Sequence, residues 1–181
     1  MIIGITGTIG AGKGTVARYL EEKGFKNFSV REFLLEELSK RGLPHDREHM
    51  TPLANELRRT YGPAHIIQTL YAKAGQYTGN SIIESIRNEG EILFLKTKPD
   101  FHLLAVDADQ KVRYNRIVLR GSTTDAVTFE TFQAQEEKES KGVNPWEQNL
   151  SVCIANADAI FVNNGTFDEL KLQVEKYLDM Q

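Results

Sequence analysis

Cysteine is nearly absent. Cys153 is the only one in 181 residues, so no disulfide can close within the chain. That excludes a small disulfide-stapled scaffold and fits a reducing compartment. The thiol sits in Ser151-Val152-Cys153-Ile154, where it reads as a small core residue rather than a nucleophile. Long apolar runs are missing as well, and no stretch approaches the length of a bilayer span. The opening Met1-Ile2-Ile3-Gly4-Ile5 lacks the basic start of a secretory leader. The expectation is a cytoplasmic protein with no membrane partner.

Positive charge is not in excess. Lys and Arg number 22 against 25 Asp and Glu, a formal net charge of -3. That excludes nucleic-acid binding through bulk charge but allows a local basic pocket. Histidine is scarce, with four in the chain. His45 and His49 are four apart with Asp46 and Glu48 between them, yet Pro44 and the loop-like surroundings argue against a formed helix, and the ligand set a metal requires is incomplete. There is no internal repeat and no low-complexity tract. The length suits one domain over 1–181, with small inserts. Nothing sets the oligomeric state.

What is present is an alternation of apolar strands and amphipathic helices. Residues 1–6 form a buried strand bounded by glycines, and 13–23 a helix stopped by Gly24. A short strand over 25–29 precedes a helix over 31–41 that ends at Gly42. Thr51-Pro52 is expected to open a helix to about Tyr61, and Pro63 another to about Ala74. Strands follow at 81–84 and 101–106, then a basic helix over 109–120 and a charged one over 128–140. Asn144-Pro145 is expected to cap a helix beginning near Trp146. A last strand at 159–162 leads to a helix capped by Thr166. This pattern predicts an α/β fold of three layers, a five-stranded parallel sheet flanked by helices. The stretches 30–76 and 110–147 read as inserts on that core.

The most specific signal is Gly7-Thr8-Ile9-Gly10-Ala11-Gly12-Lys13-Gly14-Thr15, which follows the first strand and opens the first helix. Glycines let a tight turn aim its backbone N–H groups at phosphate oxygens, and the helix points its positive end the same way. Lys13 adds a cation for the outer phosphates. Glycine, four residues, then glycine-lysine in this context defines a P-loop. Gly14 stands where the general motif has Ser or Thr, and Thr15 comes one residue later. A direct hydroxyl ligand to Mg²⁺ is therefore in doubt, with Thr15 the nearest candidate.

The Gly-Lys-Gly-Thr variant resembles adenylate kinases and other nucleoside-monophosphate kinases. The run Ile3-Gly4-Ile5-Thr6-Gly7-Thr8-Ile9-Gly10-Ala11-Gly12-Lys13 also resembles dephospho-coenzyme A kinase. Ala157 to Thr166 is similar to the closing strand and adenine-side loop of these kinases, with Asn164 and Gly165 in the loop. The whole pattern is similar to archaeal adenylate-kinase-related proteins. The resemblance implies a P-loop kinase using ATP and Mg²⁺, an acceptor-binding insert over about 30–76, and a lid over about 110–147.

Ligands of open α/β sheets lie beyond the carboxyl ends of the strands. Glu84 ends a strand there and is placed to organise magnesium waters, with Arg87 placed to grip a phosphate. The monophosphate kinases have Asp-Gly followed closely by arginine at this point; here it reads Glu84-Ser85-Ile86-Arg87. Asp107, at the next strand end, either shares the metal, contacts substrate or caps the following helix. Arg113, Arg116 and Arg120 share one helix face. By resemblance Arg116 and Arg120 belong to the lid that closes over ATP, leaving Lys13, Arg87, Arg116 and Arg120 as the catalytic cations. In the monophosphate kinases an acid followed by an arginine holds the acceptor phosphate. Glu32 stands for that acid, Leu35 occupies the arginine's place, and Arg31 or Arg58 compensates. A small nucleotide-like acceptor is expected, favouring a nucleoside or deoxynucleoside monophosphate. The alternatives are dephospho-coenzyme A kinase and an ATP-binding regulator with weak hydrolysis.

Overall fold

The computed structural model describes residues 1–121 and 128–181. Strands β1 (Ile2–Gly7), β2 (Lys26–Ser29), β3 (Ser81–Glu84), β4 (Phe101–Asp107) and β5 (Ala159–Val162) form one sheet in the order β2-β3-β1-β4-β5. Every pairing is parallel. The expected five-stranded parallel sheet is therefore what the chain builds. Its central strand has both faces covered: Ile3 and Ile5 are fully buried on one side, and Gly4 packs tightly beneath Phe101 and Ile86 on the other.

Helices α1 (Lys13–Glu22) and α9 (Phe167–Leu178) cover one face, packed on Ile3, Ile5 and Phe161. On the other face lie α2 (Val30–Lys40), α3 (Arg47–Tyr61), α4 (His65–Ala74), α5 (Glu89–Lys96) and α8 (Leu150–Ala155). The remaining helices are α6 (Gln110–Arg120) and α7 (Phe129–Ser140). Residues 122–127 of the expected lid lie outside the described residues.

Four local readings change. Helix α3 starts at Arg47, not at Thr51, because the Asp46 carboxylate accepts from the His49 backbone N–H at 2.9 Å and caps the helix earlier. Pro52 then falls inside it, where it lacks a donor for the Glu48 carbonyl. Helix α4 starts at His65 rather than Pro63, after Gly62 at φ 107°. No helix begins at Trp146. Glu147 instead accepts from the backbone of Val143 and Asn144 and closes a turn, and the helix is delayed until Asn149 caps α8. Helix α5 escapes a reading by apolar period alone. Its signature is polar, a capping box in which Asn88 and Glu91 satisfy each other's backbone N–H.

Candidate functional site

The carboxyl ends of β1, β3 and β4 converge, and the loop after β1 turns there. Gly7, Gly10 and Gly12 take φ of 136°, 76° and 109°. A side chain at Gly7 would meet the Val106 carbonyl at 2.0 Å, and one at Gly10 the Arg113 carbonyl at 2.6 Å. Glycine at these points is a requirement of backbone approach. Gly14 differs, since a Cβ there meets nothing within 4 Å.

Lys13 folds back over the loop and donates from Nζ to the carbonyls of Gly7 and Thr8, both at 2.8 Å. Burial pushes its ammonium down to about 7, and the nearby Arg87 guanidinium adds to this, against the opposing pull of Glu139 and Glu84. A lysine so depressed is one that an arriving anion would recharge. Cys153, in contrast, is buried, and its thiol is pushed up to about 12, consistent with a core residue.

A cavity of about 700 Å³ opens in front of the loop. Among the described residues its lining carries Lys13 and six arginines, against the two carboxylates Asp46 and Glu139. Arg31 lines it from α2, Arg58 from α3, Arg87 from the turn after β3, and Arg116 and Arg120 from α6. Arg18, which sequence reasoning did not single out, lines it from α1. Glu32 lies next to Arg31 but is exposed and not part of the lining.

Each strand end is pinned by a hydroxyl. Ser29 Oγ donates to Glu84 Oε1 at 2.7 Å, and Thr8 Oγ1 donates to Asp107 Oδ1 at 2.7 Å. Ser85 follows Glu84 with φ 68°, in the left-handed region that non-glycine residues avoid. The backbone conformation is thus one a glycine would favour, although the residue is serine. The Arg87 guanidinium donates to Gln148 Oε1 at 2.8 Å and to Glu139 Oε2 at 3.2 Å.

The arginine stripe of α6 divides. Arg113 is buried, donates to the Ala108 carbonyl at 2.6 Å and the Ile9 carbonyl at 3.3 Å, and pairs with Glu136. It holds the loop and α7 together. Arg116 donates to the Asn163 carbonyl at 2.7 Å and the Gly165 carbonyl at 3.4 Å while still lining the cavity. Asn164 Oδ1 accepts from the Asp109 backbone N–H at 2.7 Å.

Asn163, unread in the sequence, is the nearer partner of the loop: its buried amide donates to the Ala11 carbonyl at 2.7 Å. Its only signal is its place beside Asn164. Asn163→Ala is expected to destabilise the fold by about 1–3 kcal/mol by orphaning that carbonyl. Thermal melts compared with wild type check this, and an unchanged midpoint would contradict it.

A parallel sheet of this order with a phosphate-cradling loop after its central strand defines a P-loop protein of the kinase-like fold. The chain belongs to the AAA domain family, which matches residues 3–144, and to the UPF0200 proteins. The UPF0200 protein of Sulfurisphaera tokodaii is 31% identical over 179 residues, covering 98% of this chain and 95% of that one. Among solved structures, TT1252 from Thermus thermophilus superposes with a TM-score of 0.65 at 20% identity, covering 99% of this chain and 97% of its own. Shikimate kinase from Bacteroides thetaiotaomicron does so at 0.57 and 13%, covering 99% and 98%. At such identities the structures speak for the fold. They do not separate an adenylate-kinase-like chain from one like dephospho-coenzyme A kinase. No helix among the described residues is long and apolar enough to cross a membrane.

Proposed function

We propose that this protein transfers the γ-phosphate of ATP, with Mg²⁺, to a small nucleotide-like acceptor, by preference a nucleoside or deoxynucleoside monophosphate. The observation that carries the reading is charge. A chain of net charge -3 gathers Lys13 and six arginines around one cavity that opens on the P-loop. Such a density of cations suits two anionic substrates brought together.

The loop from Gly7 to Thr15 and Lys13 would hold the triphosphate, and Asn164 and Gly165 would border the nucleoside. Arg116 and Arg120, on the lid that 110–147 would form, would meet charge on the moving phosphate. Arg31, Arg58 and Arg87 would hold the acceptor, with Glu32 beside Arg31 outside the lining and α2 and α3 of the 30–76 insert as its walls. Mg²⁺ supplies neutralisation of charge on the β- and γ-oxygens. Among the described residues no group of three His, Cys, Asp or Glu side chains could cage a metal ion. Thr15, which lines the cavity, and Glu84, at the end of β3, would be outer contacts reached through water. In-line positioning and fixed cations are what this class of reaction asks of a protein.

The test is a coupled assay with ATP, Mg²⁺ and a panel of monophosphates together with dephospho-coenzyme A. Turnover on a monophosphate supports the reading. Turnover on dephospho-coenzyme A alone replaces the acceptor. Tight ATP binding without transfer to any of them would mark a regulator instead.

The depressed Lys13 makes a pH prediction. Bound triphosphate favours the charged ammonium, so binding takes up a proton wherever the empty site has lost one. Above pH 7 the affinity for a non-hydrolysable ATP analogue should fall as pH rises, by up to about tenfold per unit. Calorimetry at pH 8 in buffers of different ionisation heat should find an uptake approaching one proton. Lys13→Met should abolish it; equal uptake by that variant would refute the assignment.

A further inference from the structure

Arg87 is pinned at both ends of its backbone and at one end of its side chain. Its backbone N–H donates to Glu91 Oε2 at 2.7 Å, and its carbonyl accepts the backbone N–H of Asn149 at 2.7 Å. Its Nη1 donates to Gln148 Oε1 at 2.8 Å and to Glu139 Oε2 at 3.2 Å. A guanidinium carries five N–H groups, two of them on Nη1. Gln148 and Glu139 use both, so an anion arriving at Arg87 is met by Nε and Nη2. Those nitrogens form the side-on edge that offers two parallel N–H bonds to two oxygens of one anion.

The partners on this side come from one segment, which runs from the last turn of α7 to the cap of α8. The segment braces itself. Gly142 N–H donates to the Gln148 carbonyl at 2.9 Å, and Glu147 Oε2 accepts from the N–H groups of Val143 and Asn144 at 3.0 and 3.1 Å. A side chain at Gly142 would run into the Gln148 carbonyl. One turn before Glu139, Glu136 pairs with the buried Arg113. Gln148 is thus offered from a fixed backbone, and it lines the cavity together with Arg87 and Glu139. Its carboxamide oxygen is spent on a guanidinium. An arginine left free to sample rotamers pays to be ordered when it binds, and one held in advance does not. We infer that Gln148 is a positioning residue, which with Glu139 holds Nη1 of Arg87 and so presets the Nε–Nη2 edge as the one that takes an anion in the cavity. The role of Gln148 goes beyond the phosphotransfer reading but rests on it for Arg87 as a holder of anions.

The test is a double-variant cycle read by phosphate binding. Inorganic phosphate is titrated calorimetrically into the full chain, with and without a non-hydrolysable ATP analogue and Mg²⁺. Gln148→Met keeps the length of the side chain and removes the acceptor, while the backbone bond from Gly142 stays. It should weaken phosphate binding roughly tenfold in the wild-type chain, the scale of one hydrogen bond to a charged group. In the Arg87→Met background it should change nothing further, because Gln148 acts through Arg87. The cooperative urea transition should be retained. An equal loss in both backgrounds would make Gln148 a brace of its own segment and overturn the inference. Wild-type phosphate affinity in the folded Gln148→Met variant overturns it too, as does a wild-type chain that binds no phosphate. Gln148→Ala repeats the reading if Gln148→Met does not fold, and failure of both to fold counts against the inference. If Arg87→Met binds no phosphate, the wild-type arm decides alone. Phosphate held as tightly by Arg87→Met as by wild type would remove Arg87 from the site, and Gln148 with it. An intact cycle in a chain that ignores the ATP analogue would sink the phosphotransfer reading and leave the role of Gln148 standing.

Discussion

Lys13→Ala is expected to lower transfer by roughly 10²–10³-fold while leaving the fold intact, the scale set by removing one charge-stabilising contact from a preorganised site. The sheet loses nothing by the change. Among the described residues Lys13 Nζ donates to the Gly7 and Thr8 carbonyls of its own loop, and the side chain is half-buried. Removing a partly desolvated ammonium leaves no buried counter-charge alone, because Glu139 keeps Arg87 and Glu84 keeps Ser29. Steady-state rates with ATP and the best acceptor, alongside urea midpoints, separate the two effects. A variant as active as wild type would show that the loop does not hold the reacting phosphates. One that unfolds would show that the lysine braces the loop.

How far the sequence foretells this molecule depends on the kind of signal. Strand β1 and the phosphate loop are read at once, because an apolar run, glycine spacing, a lysine and the start of a helical face all fall within residues 1–20. The strand ends at Glu84 and Asp107 follow from apolar runs closed by an acid. Helix α3 is misplaced at its start because Thr51-Pro52 carries a strong start signal that an earlier cap, Asp46, overrides. Helix α5 is eight residues long and needs its capping box to be seen.

Side-chain partnerships are a different matter. The three arginines of α6 are alike in spacing. Whether one lines the cavity or is spent on Glu136 and the Ile9 carbonyl depends on α7, far along the chain. Long-range pairs such as Ser29 with Glu84, Asn163 with Ala11 and Arg58 with Glu91 leave no local trace. They arise only when crossover connections bring separate strand ends together.

The pair Arg58–Glu91 supports the largest stability effect expected in the chain. Glu91→Ala should destabilise the fold by about 3–5 kcal/mol, because it strands a guanidinium that is 1% exposed. It also orphans the Arg87 and Asn88 backbone N–H groups that the carboxylate accepts at 2.7 and 3.3 Å, and breaks the capping box of α5. Against a typical domain stability of about 5–15 kcal/mol such a loss is severe. The double variant R58M/E91M should recover much of it, since replacing both charges by apolar side chains of similar volume is often neutral or better. The comparison of Glu91→Ala with the double variant therefore separates the cost of an uncompensated buried charge from the loss of the pair as a whole. Urea denaturation of wild type, Glu91→Ala and R58M/E91M checks it. If the single change costs under about 1 kcal/mol, or the double costs more than the single, the pair does not lock α3 to α5.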